Sequence, residues 1–310
     1  MSVDPIGGYP QYSDSTINYI PQLFAPSTLV KYYAKSCVAA VSNTKYEGVI
    51  KNHGDKVTIR TRPDITVSAY KKGQKLDRQV ASSAPVVLNI DQAQYYDFVI
   101  DDVDDKQADI VLSSEFTDDA SEQMRIKVDR DVLGAIYADA DAANAGASAG
   151  KISGNLNLGA SGAPLAVTKN NVIEVLTLLN LVWDEQNVPD NDRNFVCPSW
   201  FRYLIMNSDL KNASIMGESP SILRNGRVGE VDGITLFKSN LLSAVADSGG
   251  QTATHAIGLQ KDALTFAAQL VKNRVLQPPD VFGWEYSGLY VYGRKVVKAA
   301  GCIHLYCYKG

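Results

Sequence analysis

The sequence predicts an α+β fold, and three stretches of its 310 residues carry that prediction. Residues 54–102 alternate apolar and polar side chains along two long arms, the period-two mark of strands. Residues 114–141 repeat apolar side chains at every fourth position, which marks an amphipathic helix of about seven turns. From residue 168 onward short strands and helices interleave, the composition of a compact α+β unit.

The first stretch reads as a β-hairpin. In its first arm Val57, Ile59, Pro63, Ile65, Val67 and Ala69 share one parity, while Thr58, Arg60, Arg62, Asp64, Thr66 and Ser68 share the other. The second arm sets Val86, Leu88, Ile90, Tyr96, Phe98 and Ile100 against Asn89, Asp91, Asp97 and Asp101. Pro63 has no N–H to give a ladder, so the first arm is expected at an edge. Each arm can reach roughly 50 Å at about 3.3 Å per residue. A lone two-stranded ribbon is marginal in water, and no other segment is obviously available to cover this one. A neighbouring copy of the chain is the economical cover.

Charge points the same way. Lys56, Arg60, Arg62, Lys71, Lys72, Lys75 and Arg78 face only Asp64 and Asp77 between residues 56 and 78. Asp91, Asp97, Asp101, Asp102, Asp104, Asp105 and Asp109 then face Lys106 alone. A basic projection and an acidic base on one chain suit a head-to-tail contact between identical copies, which propagates into rings or shells. The expected contact residues are Arg60, Arg62, Lys71, Lys72, Lys75 and Arg78 on one side. On the other are Asp101, Asp102, Asp104, Asp105, Asp109 and Glu115. Exposed pairs contribute only about 0–1 kcal/mol each, so charge sets register more than strength.

The remaining elements follow in order. Residues 1–28 hold only Asp4 and Asp14 as charges and read as an extended arm. Leu29–Ser42 is expected as a short helix. In the long helix Phe116, Ala120, Met124, Val128, Val132, Ile136 and Ala140 make a stripe that winds about the rod, because a four-residue step gains about 40° per repeat. Residues 142–163 are Ala, Gly, Ser or Asn at 18 of 22 positions and read as a flexible loop. Thr168 is the expected N-cap of a second helix carrying Val172, Val175, Leu176, Leu179, Val182 and Trp183. Strands are expected at 195–197, 234–238 and 256–259, helices at 200–206 and 263–268, and a return to β structure from Val271 to Lys309.

Composition excludes several classes. A net charge of −4 argues against a chain that coats nucleic acid. No stretch approaches the length of a membrane span, and no Lys or Arg precedes Lys31, so no signal peptide is expected. The pattern Gly146-Ala-Ser148-Ala-Gly150 matches G-x-S-x-G but lacks the strand and helix that a nucleophile elbow needs; a hydrolase using Ser148 stands as an alternative. Cys302, His304 and Cys307 fit no zinc spacing, and reduced core thiols are expected. The aspartate run lacks the glycine and closing glutamate of a calcium loop. Tyr286, Tyr290, Tyr292, Tyr306 and Tyr308 are expected in core or interface. No catalytic residue, metal or cofactor is expected.

Several short motifs then acquire meaning by their order. They are Ala39-Ala-Val-Ser-Asn43 with Tyr46-Glu-Gly48, Gly54-Asp-Lys-Val-Thr-Ile-Arg60, and Ile100-Asp-Asp-Val-Asp104. Asp184-Glu-Gln-Asn-Val-Pro189, Gly229-Glu-Val-Asp-Gly233 with Ser239-Asn240, and Gly293-Arg-Lys-Val-Val297 complete them. From about residue 20 the chain resembles the major capsid proteins of tailed bacteriophages with the Hong Kong 97-type fold, in the branch that uses a separate scaffolding protein. The resemblance implies an N-terminal arm at 1–48, an E-loop hairpin at 49–100, a peripheral domain at 101–167 and 271–310 containing a spine helix, and an axial domain at 168–270. It also implies hexamers and pentamers of this chain, an icosahedral shell, a portal protein, and double-stranded DNA enclosed without sequence-specific binding. The expected location is the virion, after assembly in the bacterial cytoplasm. A nanocompartment shell of the same fold, holding an enzyme cargo, is the alternative.

Overall fold

The computed structural model describes residues 31, 33–34, 36–45, 56–63, 65–76, 78–80, 83–108, 111–208, 230–247 and 250–310, with backbone alone at 269–271. The expected arm at 1–28 lies outside them. Helix α1 (Val38–Val41) precedes strands β1 (Lys56–Ile59), β2 (Val86–Asn89) and β3 (Gln92–Asp101). Helices α2 (Asp102–Gln107) and α3 (Leu112–Ala135) follow, then β4 (Leu165–Val167) and α4 (Val172–Glu185). Next come β5 (Arg193–Cys197), α5 (Ser199–Met206), β6 (Glu230–Val231), β7 (Ile234–Lys238) and β8 (Ala244–Ala246). Strands β9 (Thr252–Gln260), β10 (Leu264–Leu276), β11 (Gly283–Val296) and β12 (Cys302–Lys309) end the chain.

Among the described residues these strands form three sheets: β1-β2, β10-β11-β3, and a mixed sheet ordered β4-β12-β9-β5-β7-β6 with β8 on β9. The mixed sheet is covered on both faces. Phe195, Cys197, Ile234, Leu236, Ile303 and Leu305 pack on one side with Val175, Leu176, Leu179 and Trp183 of α4. Val196, Ile257, Leu259 and Cys302 pack on the other with Val128, Val132, Leu133 and Ile136 at the end of α3. That is why every residue of β5 is buried, as expected of a strand inside a two-faced core.

Arg193 shows how the α4 side is locked. Its buried guanidinium donates to Asp184 at 2.7 Å, to Asn180 at 3.0 Å, and to the carbonyls of Val188 and Pro189 at 2.6 and 3.1 Å. It also pairs with Asp190 at 2.8 Å and lies over the Trp183 ring, 5.5 Å from its centroid. Asp184 and Asp190 are mostly exposed, so the pairings themselves are screened and the carbonyl bonds matter more. Lysine cannot reproduce this fork. Arg193→Lys is expected to cost about 1–2 kcal/mol, read as a lower urea midpoint at unchanged slope.

Helix α3 is half core and half surface. Phe116 is exposed on one side and meets Phe98 edge-on at 6.0 Å, whereas the stripe is buried only from Val128 onward. The α-helix ends at Ala135, and a 3-10 turn (Ile136–Asp139) replaces the expected last turns. Buried Asp129 of α3 accepts the N–H groups of Cys37 and Val38 at 2.7 and 3.3 Å, which pins α1 to the long helix. Gly134 is the one glycine in this helix, and a Cβ there meets nothing within 4 Å. Gly134→Ala is therefore expected to raise stability by about 0.5–1 kcal/mol, visible as a small rise in melting temperature.

Five further sequence expectations change. The hairpin's second arm ends at Asn89, because β3 leaves to pair with β11 over ten residues, from Gln92–Tyr292 to Asp101–Gly283. The expected helix at 263–268 is the start of β10, whose partner β11 decides a short apolar run that is ambiguous alone. The helix expected at Leu29–Ser42 reduces, among the described residues, to α1. Thr168 is not the N-cap: Asn171 is, and its side chain accepts from the Thr168 N–H at 2.7 Å while donating to the Ala166 carbonyl at 2.9 Å. The loop at 142–163 is packed rather than flexible. Ala149 and Leu158 are fully buried, Asn144 donates to the Ala300 and Cys302 carbonyls, and Glu185 accepts from Ile152 and Ser153.

Candidate intersubunit surfaces

Four residue pairs, Lys56–Asn89 to Ile59–Val86, make the regular base of the hairpin. Ile59 and Leu88 bury there against Ala267 and Ile90. Beyond the base the described residues of the two arms stay together without a regular ladder. Thr61 donates to the Ala84 carbonyl at 2.7 Å, and Gln79 exchanges hydrogen bonds with the Thr66 backbone at 2.7 and 3.1 Å. The tip closes as a turn from Lys71 to Gln74, with Gln74 N–H donating to the Lys71 carbonyl at 2.9 Å. Gly73 sits at φ 87°, the position of a type II turn that favours glycine.

Every described residue from 62 to 85 is exposed. Arg60, Arg62, Lys71, Lys72, Lys75 and Arg78 are exposed too, and none pairs with a described carboxylate. The apolar side chains of the ribbon are equally bare: Val67 and Val80 are each 93% exposed, with Ile65, Tyr70 and Leu76 also exposed. A soluble chain rarely leaves such a ribbon uncovered.

The acidic run is organised differently from the hairpin. Asp101 is the N-cap of α2 and accepts the Val103 N–H at 2.8 Å, and Asp102, Asp104 and Asp105 fill the first turn. Part of this charge therefore has a local role, because carboxylates are favoured at a helix N-terminus. Glu115 lies exposed in the first turn of α3. Asp109 lies outside the described residues. Beside this acidic lobe stand apolar residues that periodicity did not mark. The Asp102 N–H donates to the carbonyl of Phe282 at 3.2 Å, and Phe282 is 86% exposed. Trp284, Val281 and Val103 add to it. The one sequence signal for them is the pair Phe282 and Trp284, three and five residues after Pro279.

A family model described as phage capsid protein matches residues 86–305. The chain belongs to the phage capsid protein family. This capsid protein is similar to a solved structure from Mycobacterium phage Che8 at TM-score 0.75 and 23% identity, covering 93% of this chain and 97% of that one. It is similar to the capsid structure of the cyanophage P-SCSP1u at TM-score 0.70 and 17% identity, covering 94% of each chain. The capsid of Ralstonia phage GP4 gives TM-score 0.69 at 11% identity over 97% of this chain and 99% of that one. No curated protein matches. The mixed helix-and-sheet architecture is thus the Hong Kong 97-type capsid fold, and the role of the protein is structural.

The remaining candidates of this capsid protein fall into place by geometry. Ser148 stands exposed in the packed loop, between a 3-10 turn and the Ala149–Leu156 bridge rather than on a strand-to-helix elbow. Cys302 and Cys307 enter cores on opposite faces of the mixed sheet, so they cannot converge on a metal. Burial pushes the Cys302 and Cys197 thiols up to about 12, which keeps both protonated and inert. Among the described residues no group of three His, Cys, Asp or Glu is placed to hold a metal, and no helix is long and apolar enough to cross a membrane. Tyr286 stacks on Phe98 at 5.5 Å between the three-stranded sheet and α3. Tyr292, fully buried, donates to Asp131 at 2.8 Å, and burial followed by that carboxylate pushes its hydroxyl well above the usual range.

Proposed function

We propose that this protein is a tailed-phage major capsid protein whose copies form hexamers and pentamers of an icosahedral shell around double-stranded DNA. The observation that carries the reading is the hairpin whose described residues from 62 to 85 are all exposed, carrying both apolar and basic side chains with no cover among the described residues of its own chain. Its natural cover is the acidic lobe of the adjacent copy: Asp101, Asp102, Asp104, Asp105 and Asp109, with Glu115. Phe282 and Trp284 supply the apolar part of that landing ground. Burying one large apolar side chain contributes about 1.5–3 kcal/mol, against about 0–1 kcal/mol for an exposed pair. Apolar contact therefore provides strength and charge provides register.

In this reading residues 1–48 form the arm and the E-loop is the hairpin that ends at Asn89, short of the expected residue 100; the long helix with the sheet β10-β11-β3 makes the peripheral domain, and α4 and α5 with the mixed sheet, which takes in β12, make the axial domain. A separate scaffolding protein guides assembly in the host cytoplasm, a portal protein occupies one vertex, and DNA is enclosed rather than gripped. The net charge of −4 supports a container that leaves packaged DNA free to move. Electron microscopy of the purified protein, alone and co-expressed with a scaffolding protein, tests the reading. Closed shells of uniform diameter are expected, and a monodisperse monomer under all conditions would overturn it. Phe282→Ser is expected to reduce the yield of shells while leaving the subunit's melting temperature within about 2 °C, since the side chain is 86% exposed.

A further inference from the structure

His255 on β9 and His304 on β12 belong to no surface described above. Tyr306 lies directly opposite His255 in the β12–β9 ladder. Nδ1 of His255 and Nε2 of His304 are 2.8 Å apart, so one ring donates an N–H and the other accepts it. The two rings stack with centroids 5.0 Å apart. Tyr137, from the 3-10 turn that ends the long helix, stacks on His255 at 4.1 Å and tilts over His304 at 5.1 Å. Tyr306 closes the cluster at 4.7 Å from His255. These rings join the end of α3 to the mixed sheet.

We propose that the His255–His304 pair is an acid-operated latch between the long helix and the mixed sheet, closed while the pair holds at most one added proton and opened by the second. The neutral pair already holds one N–H in the contact, so a first added proton binds the donor ring's other nitrogen and keeps the hydrogen bond, whereas the second must bind the accepting nitrogen. A second leaves two N–H groups pointing at each other on two cations, and like charges at that distance repel.

The ionisable groups around the pair do not neutralise it. From the 3-10 turn comes Tyr137; from β12 comes Tyr306, whose hydroxyl is engaged by Asp247 after β8. Asp139, further along the turn, is paired with Lys295 at 3.8 Å. Among the described residues no carboxylate hydrogen-bonds either imidazole. Burial lowers the His255 imidazole, and burial followed by the charge of His255 lowers His304 to about 4. Both rings are thus neutral in the folded protein at neutral pH, and the unfolded chain takes up protons first. The contribution is fully present above the ordinary histidine value of about 6.5 and is lost as pH falls toward about 4.

Hydrogen exchange on the soluble full-length subunit tests the latch. Protection factors, corrected for intrinsic rates, are compared between about pH 7 and about pH 4.5 for residues 136–140 and 302–306, with 172–185 as the internal reference. The latch predicts at least a tenfold greater loss of protection at 136–140 and 302–306 than in the reference, and His304→Gln abolishes that difference. A uniform loss across the chain overturns the proposal, as does a local loss that persists in His304→Gln. Should that variant fail to fold, His255→Gln replaces it, and the contrast between segments in the wild-type chain decides independently.

Discussion

Gly159→Ala is expected to leave little folded protein. Gly159 sits at φ 79°, where a Cβ is strained in any surroundings at a cost of about 1–2 kcal/mol. Here a Cβ would also be driven into the carbonyl oxygen of Tyr306 and would lie 2.8 Å from the amide of Leu165. Both obstacles are backbone, so neither can swing aside. Tyr306 belongs to β12, and its N–H donates to the Leu158 carbonyl at 2.9 Å, so relief by moving the loop would break that bond and expose buried Leu158. Overpacking of this kind costs about 1–3 kcal/mol more. The sum of about 2–5 kcal/mol is a large part of the stability of an ordinary domain. The check is soluble yield with urea denaturation, beside Gly154→Ala, another positive-φ glycine of the same loop whose Cβ meets nothing within 4 Å. A Gly159→Ala chain as stable as Gly154→Ala would refute the packed-loop account.

Shells, by contrast, are expected to disappear when the subunit itself is untouched. Deleting residues 71–80 removes the tip of the ribbon, all of whose described residues are exposed. Subunit stability should stay within about 0.5 kcal/mol of the parent, while regular shells should no longer form. Reversing Lys71, Lys72 and Lys75 to glutamate is the subtler test. Six units of charge change against an acidic lobe shift both register and encounter, so assembly should slow steeply, most at low salt, because charges beyond about 10 Å are screened at 0.1 M. Thermal melting of the subunit and light scattering of the assembly reaction separate the outcomes. If stability and assembly fall together, the hairpin belongs to the subunit's own core; if shells form normally without the tip, the ribbon has another purpose.

Much of this was legible in the sequence. The long helix, strands β5 and β7, the second helix and the exposed alternating ribbon follow from local periodicity, because one face of each must meet apolar surroundings. The charge separation between Lys71, Lys72 and Lys75 and the run from Asp101 to Asp105 needs only a reading of residue types. The order of the motifs also pointed to the capsid family before any fold was in view. What eluded sequence reading involves partners far along the chain. Gln92–Asp101 looks like the hairpin's own arm until β11, nearly two hundred residues later, supplies its ladder. Residues 264–268 fit helix or strand alike until the same β11 pairs with them.

Local chemistry thus determined which segments of this protein are rods, which are ribbons and which are charged, because periodicity and side-chain type act within a few residues. Only the tertiary structure decided which ribbon is covered and which is bare, that the Ala- and Gly-rich loop is a packed element, that Phe282 joins the acidic lobe, and that His255 meets His304. Each of these depends on long-range backbone pairing, and no local pattern reports the side chain that waits at the other end of the ladder.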